Sequence, residues 1–358
     1  MPELNGMSSS DEILTGVLKR VSRAFYLSMR ILPDGVRQPI SLGYLLARAA
    51  DTVADTPDIE VNERLQRLQR LQSYVLNLEE ENISRAQEAC DWTEGVTSGE
   101  NKLMQVFPQA LKLTSQLEDA DRRDVQQVVK TLIGGMILDL SSFPGRFTEN
   151  AQLDRYTYMV AGCVGEFWSR IIARHTAALK DWDCEYWSRV GVRFGKALQL
   201  TNVLRDAVKD LENGRSYLPG LVREEWPDCA ELNGCDYYDS AMANLNRTQQ
   251  NDILGQWMQE ALLHYRQAIA YTMSLPWHCW RLRLAVVWPI AIGLATLVKL
   301  SSRSEDWLRR GMRIKVERRW VYRMIALTAP LSLCSPLLRL WLDSWWRKAY
   351  AGSQKLRD

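Results

Sequence analysis

The sequence predicts an all-α fold. Three observations carry that prediction: apolar residues recur at spacings of three and four along most of the chain, no series of short alternating strands bounded by turns occurs, and the polar breaks between apolar runs are loop-sized. The 358 residues are 46% apolar and 25% charged, the mix of a globular protein with a large core rather than of a disordered or fibrous one. With 45 Lys and Arg against 43 Asp and Glu, the net charge of +2 argues against a partner held through nucleic-acid phosphates.

Residues 1–10 have no basic region followed by an apolar stretch, so no secretory leader is expected, and Ser10 or Asp11 is placed to cap a first helix. The run 40–50 is a mostly apolar helix leading into Asp51 and Asp55, and Leu65, Leu68, Leu71, Val75, Leu76 and Leu78 keep amphipathic helical spacing. Polar breaks fall at 91–101, at 141–150 around Pro144-Gly145, and at 212–227. These lengths favour one helical domain over residues 1–300, with a C-terminal helical extension over 301–358.

Two uncharged runs, 284–298 and 324–338, contain proline and fall short of the ~18–20 residues that span a bilayer. They are expected to be buried helices or an interfacial surface. Trp341, Trp345 and Trp346, interleaved with Arg339, Arg347 and Lys348, predict peripheral membrane contact through the C-terminal region, on the inner face of a membrane if the protein is cytoplasmic. The seven cysteines, odd in number and without a C-x-x-C pair, predict neither a disulfide framework nor a zinc site and fit a reducing compartment. His175, His264 and His278 are scattered and form no metal or triad pattern.

The chemistry lies in two carboxylate pairs. Tyr44, Arg48, Asp51 and Asp55 step by four, three and four, so they share one helix face; Gln199, Asn202, Asp206 and Asp210 do the same through Leu198, Leu200, Val203 and Leu204. Apolar residues fill most of the remaining circumference of each helix, which predicts that the acidic stripes face inward. Inward carboxylates need counter-charge. Mg²⁺, or Mn²⁺ in its place, meets that need through oxygen ligands shared with a phosphate, and Arg48, Arg205 and Arg215 would receive the rest of a diphosphate. The chemistry that follows is ionisation of an allylic diphosphate in an apolar cavity, with Phe25, Tyr156 and Tyr158 offering ring faces to a carbocation.

Taken together and in order, these pieces resemble the squalene/phytoene synthase family. They are Ser22-Arg23-Ala24-Phe25; Tyr44 with Arg48-Ala49-Ala50-Asp51-Thr52-Val53-Ala54-Asp55; Tyr156-Thr157-Tyr158-Met159-Val160-Ala161-Gly162-Cys163-Val164-Gly165; and Gln199-Leu200-Thr201-Asn202-Val203-Leu204-Arg205-Asp206 through Asp210, closed by Gly214-Arg215-Ser216-Tyr217-Leu218-Pro219. The resemblance implies an isoprenoid-synthase helical fold with a central cavity, in which Asp51, Asp55, Asp206 and Asp210 hold Mg²⁺ against prenyl diphosphates. It implies Tyr156 as the tyrosine assisting proton removal, and places Arg23, Phe25, Tyr44, Arg48, Gln199, Asn202, Arg205 and Arg215 near farnesyl diphosphate.

Within the family, the resemblance of 284–298 to a late tunnel helix, the basic pair Arg313 and Lys315, and the long C-terminus favour a reductive enzyme. The resemblance assigns NADPH to Arg48, Asn202, Arg313 and Lys315. No G-x-G-x-x-G is present, so NADPH would bind a surface groove rather than a Rossmann unit. The Gly-Arg-x-Tyr-Leu-Pro ending is phytoene-synthase-like, which keeps open non-reductive products: phytoene, dehydrosqualene or presqualene diphosphate. A terpene cyclase using the same metal logic and a non-catalytic membrane-associated helical protein are the other readings.

Overall fold

A computed structural model describes residues 29, 31–56, 59–89, 98–222, 234–243 and 245–357. Arg23, Phe25 and the first helix cap lie outside them. The described helices are α1 (Asp34–Asp55), α2 (Val61–Leu76), α3 (Glu80–Ala89), α4 (Ser98–Ser115), α5 (Asp119–Ser142), α6 (Asn150–Thr157), α7 (Cys163–His175), α8 (Cys184–Glu212), α9 (Gly234–Ala243), α10 (Arg247–Ser274), α11 (Trp280–Ser302), α12 (Arg318–Leu331) and α13 (Ser335–Lys355). A π turn, Tyr158–Gly162, joins α6 to α7. Two two-residue strands, β1 (Gly145–Arg146) and β2 (Arg215–Ser216), pair in parallel. The all-α expectation holds. By contacts the chain forms two compact units, Met1–Leu140 with Phe167–Lys180, and Ser141–Glu166 with Asp181–Asp358.

In the first unit α1 packs on α2 and α4, and α3 packs on α4. α1 buries Val36, Leu42, Leu45, Leu46, Ala49 and Ala50 at 0–1% exposure, so its apolar residues form the core its spacing promised. On α2, Leu68, Leu71 and Val75 are buried; Leu76, predicted with them, is exposed, and Leu78 lies past the helix end. The open carbonyls there are met from α5, where Gln126 Nε2 donates to Val75 O at 3.0 Å and Leu76 O at 3.1 Å.

In the second unit α8 packs along α10 and the π turn, α13 covers α10 and α11, and α12 lies on α11. Caps fix where the long helices start: Asp183 accepts from Tyr186 N at 2.9 Å, and Asn246 and Gln249 close a capping box. The glycines of the Val-Ala-Gly-Cys-Val-Gly segment allow the approach of α8. A Cβ on Gly165 would lie 1.9 Å from Gly191 O, and one on Gly195 would lie 2.2 Å from Ala161 O. Cys163 is buried here as a packing residue, and burial pushes its thiol up to about 12.

α11 is long and apolar enough to cross a membrane, yet 61% of its most apolar window is buried within the protein. The run 324–338 is not one helix, because the chain breaks between α12 and α13. Trp341, Trp345 and Trp346 are half-buried. Trp346 Nε1 donates to Leu262 O at 2.9 Å, its ring stacks on Tyr350 at 5.0 Å, and Arg266 lies 4.9 Å over it. Trp345 meets Trp320 edge-on at 5.2 Å. These rings are occupied by the fold. Residues 312–317 carry no regular secondary structure, and α12 begins at Arg318.

Candidate active site

The first acidic stripe lies on α1 in the first unit. From Ser41 to Thr56 every residue is buried except Tyr44, Ala47, Arg48, Asp51 and Asp55, so the predicted face is real. The Asp51 side chain is 36% exposed and Asp55 is exposed, so these carboxylates keep part of their hydration. Arg48 Nη1 donates to Asp51 Oδ2, one helical turn away.

The second stripe, on α8 in the second unit, repeats this pattern. Gln199, Asn202, Arg205, Asp206 and Asp210 are half-buried while Leu200, Thr201, Val203, Leu204, Ala207 and Val208 are buried. The Arg205 guanidinium forks onto Asp206, with Nε to Oδ1 at 2.9 Å and Nη2 to Oδ2. The Arg205 pKa is raised, first by that hydrogen bond and further by the charges of Asp206 and Asp210, against the opposing effect of burial. Asn202 Nδ2 lies 3.4 Å from Gln199 Oε1. The Asp206 side chain is 37% exposed, so this stripe too keeps part of its hydration.

Tyr156 is buried in a cluster that sequence reasoning missed. Its ring stacks on Tyr217 at 4.8 Å and meets Phe147 edge-on at 5.8 Å, and Phe143 packs on both Phe147 and Tyr217. The parallel bridge assembles it: Gly145 N donates to Gly214 O and Phe147 N to Ser216 O, each at 2.9 Å. Gly214 turns the chain into β2 at φ +72°, a conformation that favours glycine. The Gly-Arg-Ser-Tyr-Leu-Pro motif therefore both positions Arg215 on β2 and delivers Tyr217 to Tyr156. Tyr158, on the π turn, donates from its hydroxyl to Glu166 at 3.2 Å. Such turns are frequent at functional sites. Arg313 and Lys315 are exposed, with Ile314 between them buried.

The acids that are buried lie elsewhere and were also missed. Asp121 and Asp124 on α5, at 3% and 9% exposure, face α7 of the first unit. Arg174 donates to both, at 2.7 Å to Asp124; Arg170 reaches Asp124 at 3.3 Å, and His175 Nε2 lies 2.7 Å from Asp121. Counter-charge for buried carboxylates is thus supplied here by fixed arginines.

Among the described residues no group of three or more His, Cys, Asp or Glu is arranged to hold a metal ion. Each stripe offers two carboxylates one turn apart and partly hydrated. Mg²⁺ is commonly held by one or two carboxylates, with water and substrate phosphate completing the octahedron, so the donor chemistry of each stripe fits it.

The architecture and these stripes define an all-helical protein with paired, arginine-partnered aspartate motifs. The chain belongs to the squalene/phytoene synthase family, whose model matches residues 18–320. It is 25% identical to "Squalene synthase" of Schizosaccharomyces pombe over 270 residues, which is 72% of this chain and 53% of that protein. It is 30% identical to "Presqualene diphosphate synthase" of Zymomonas mobilis over 61% of this chain and 63% of that one. The chain therefore spans about half of the yeast relative and under two-thirds of the bacterial one. A solved complex of TcSQS with the ligand BPH1237 superposes with a TM-score of 0.70 at 18% identity, over 97% of this chain and 99% of that one, a likeness of fold.

Proposed function

We propose that the protein is a prenyltransferase, a squalene synthase that condenses two farnesyl diphosphates head to head through presqualene diphosphate and then reduces the product. One observation carries this reading: each acidic stripe is the half-exposed face of an otherwise buried helix, with an arginine already paired to its aspartate. That is a diphosphate-binding surface waiting for a hard cation. Asp51, Asp55, Asp206 and Asp210 would hold Mg²⁺, which when bound draws charge off the departing diphosphate. Arg48 and Arg205 turn from their aspartates to phosphate oxygens, where a forked guanidinium binds two at once.

Tyr156 receives or relays the proton lost in forming the cyclopropane, held in place by its stack on Tyr217. The surrounding aromatic rings keep water from the cation. Arg313 and Lys315 offer paired charges to the phosphates of NADPH, which supplies hydride. The non-reductive reading, with presqualene diphosphate as the end product, is favoured by the 30% identity to the Zymomonas mobilis relative. The test is incubation of pure protein with farnesyl diphosphate and Mg²⁺, with and without NADPH, and mass spectrometry of the products. Squalene only with NADPH is expected; identical products in both tubes remove the reductive step. Asp51→Asn and Asp206→Asn should each abolish Mg²⁺-dependent diphosphate binding, and unchanged binding would exclude catalysis by these stripes.

A further inference from the structure

Within the second unit α6 and α10 both pack on α8, and residues of all three helices line a cleft of about 380 Å³. Its walls include Leu153 and Asp154 of α6, Leu200 of α8, and Trp257, Glu260 and His264 of α10. No aspartate of the two acidic stripes lines it. Tyr156, also on α6, turns away from it to stack on Tyr217, so the cleft is separate from the aromatic cluster.

Two side chains in this cleft are left incomplete by the fold. His264, at 5% exposure, has no hydrogen-bond partner for Nδ1 among the described residues, and its Nε2 stands 3.6 Å from Glu260 Oε1, beyond hydrogen-bond reach. A buried polar group left in this way is costly. Burial, and then Arg193 and Lys196, push the His264 pKa down to about 4, against the opposing effect of Asp154. At neutral pH the ring is therefore uncharged, with one donor and one acceptor nitrogen, and cannot serve as the cation for Glu260. Glu260 is the second incomplete group. Asp154 holds Lys196 Nζ at 2.5 Å, whereas Glu260 has no Lys or Arg partner among the described residues. Beside these groups lie the buried Leu153 and Leu200 and the Trp257 ring, which is fixed by its Nε1 donating to Pro219 O at 3.4 Å.

We infer that this cleft binds a small free primary amine with an apolar body. The ammonium sits between the Glu260 carboxylate and the His264 ring, supplying the charge that the first lacks and a donor to the acceptor nitrogen of the second. The apolar body lies against Leu153, Leu200 and Trp257. A lysine side chain of another protein carries the same ammonium, but His264 and Trp257, both at 5% exposure, are sunk below the surface, which favours a molecule that enters whole. The inference does not rest on the proposed chemistry.

The test uses the full-length protein labelled with carbon-13 histidine. Its three histidines, His175, His264 and His278, give three imidazole signals, and His264→Gln identifies the one that matters. Titration with phenethylammonium at neutral pH should shift the His264 signal alone, saturably, with a dissociation constant of ~1 mM for a ligand of about nine non-hydrogen atoms. Phenethyl alcohol and hydrocinnamate, which keep the ring but lose or reverse the charge, should bind at least ~tenfold more weakly. Glu260→Gln, at a half-exposed position, should weaken amine binding roughly tenfold or more, and Glu63→Gln on α2 should leave it unchanged. The inference is overturned if the His264 signal does not move at ~10 mM amine, if the alcohol binds as well as the amine, or if Glu260→Gln binds like wild type. Tighter binding of N-acetyl-lysine methylamide than of the free amine would also overturn it, by assigning the cleft to a lysine of a partner protein.

Discussion

Replacing Gly165 with alanine tests how closely α8 must approach the π turn and α7. The new Cβ would lie 1.9 Å from Gly191 O and 2.4 Å from its carbonyl carbon, and both are backbone atoms that no rotamer change can move. Cβ atoms essentially never come within 3.0 Å of such a neighbour, so the two helices must separate by more than 1 Å. Alanine gains up to ~1 kcal/mol of helix propensity over glycine. Against this, separating packed helices in a core at crystal-like density costs about 1–3 kcal/mol or more. The clash involves backbone on both sides, which puts the cost at the upper end, and the net sign is destabilising. A loss of ~2 kcal/mol corresponds to a fall in melting temperature of about 4–8 °C in a body of this size.

The same separation would relieve Gly195→Ala, whose Cβ would sit 2.2 Å from Ala161 O on the other side of this contact. The double substitution should therefore cost clearly less than the sum of the two. Differential scanning calorimetry on the wild type, both single variants and the double variant measures this. A Gly165→Ala melting point equal to wild type, or strict additivity, would refute the close-approach argument.

Arg174→Met leaves Asp121 and Asp124 buried without their main cation and should cost about 3–5 kcal/mol in urea unfolding; adding Asp121→Asn and Asp124→Asn should recover part of it, and no recovery would show that the loss comes from packing. His264 is 5% exposed, and its pKa is pushed down to about 4, first by burial and then by Arg193 and Lys196, with Asp154 opposing. Above pH ~6.5 it is neutral folded and unfolded and contributes nothing. Below that the unfolded chain takes the proton first, so stability falls by up to about 3 kcal/mol as the pH drops towards 4. His264→Gln should flatten this part of the pH–stability curve, measured from urea midpoints at several pH values; an unchanged slope would refute the assignment.

Much of the site was legible because helical periodicity reports which residues share a face. Tyr44, Arg48, Asp51 and Asp55 do share one, as do Gln199, Asn202, Asp206 and Asp210. Periodicity does not report how much solvent a polar face keeps when apolar residues cover the rest of the helix, because a sealed acidic lining and a half-exposed stripe have the same pattern. The C-terminal tryptophans show a related limit. Aromatic-cationic interleaving fits an interface, and it does not reveal that Leu262 and Arg266, 84 and 80 positions earlier in the chain, contact the Trp346 ring. Asp121 and Asp124 gave no local signal either, since their partners are 46 to 54 positions away. The Tyr156 cluster draws on three segments, two of which, around Phe147 and Tyr217, are joined by the β1–β2 bridge.

The contrast between the two kinds of acid explains which can serve a ligand. Asp121 and Asp124 are buried against fixed arginines, and breaking such a pair costs several kcal/mol, so these carboxylates cannot exchange partners during turnover. Asp51 and Asp206 stand at roughly one-third exposure beside arginines on their own helices. Pairs of that kind are worth ~0–1 kcal/mol, which a divalent cation and a diphosphate readily outbid. On the proposed reading the arginine would turn to the phosphate and the carboxylate would become available to metal.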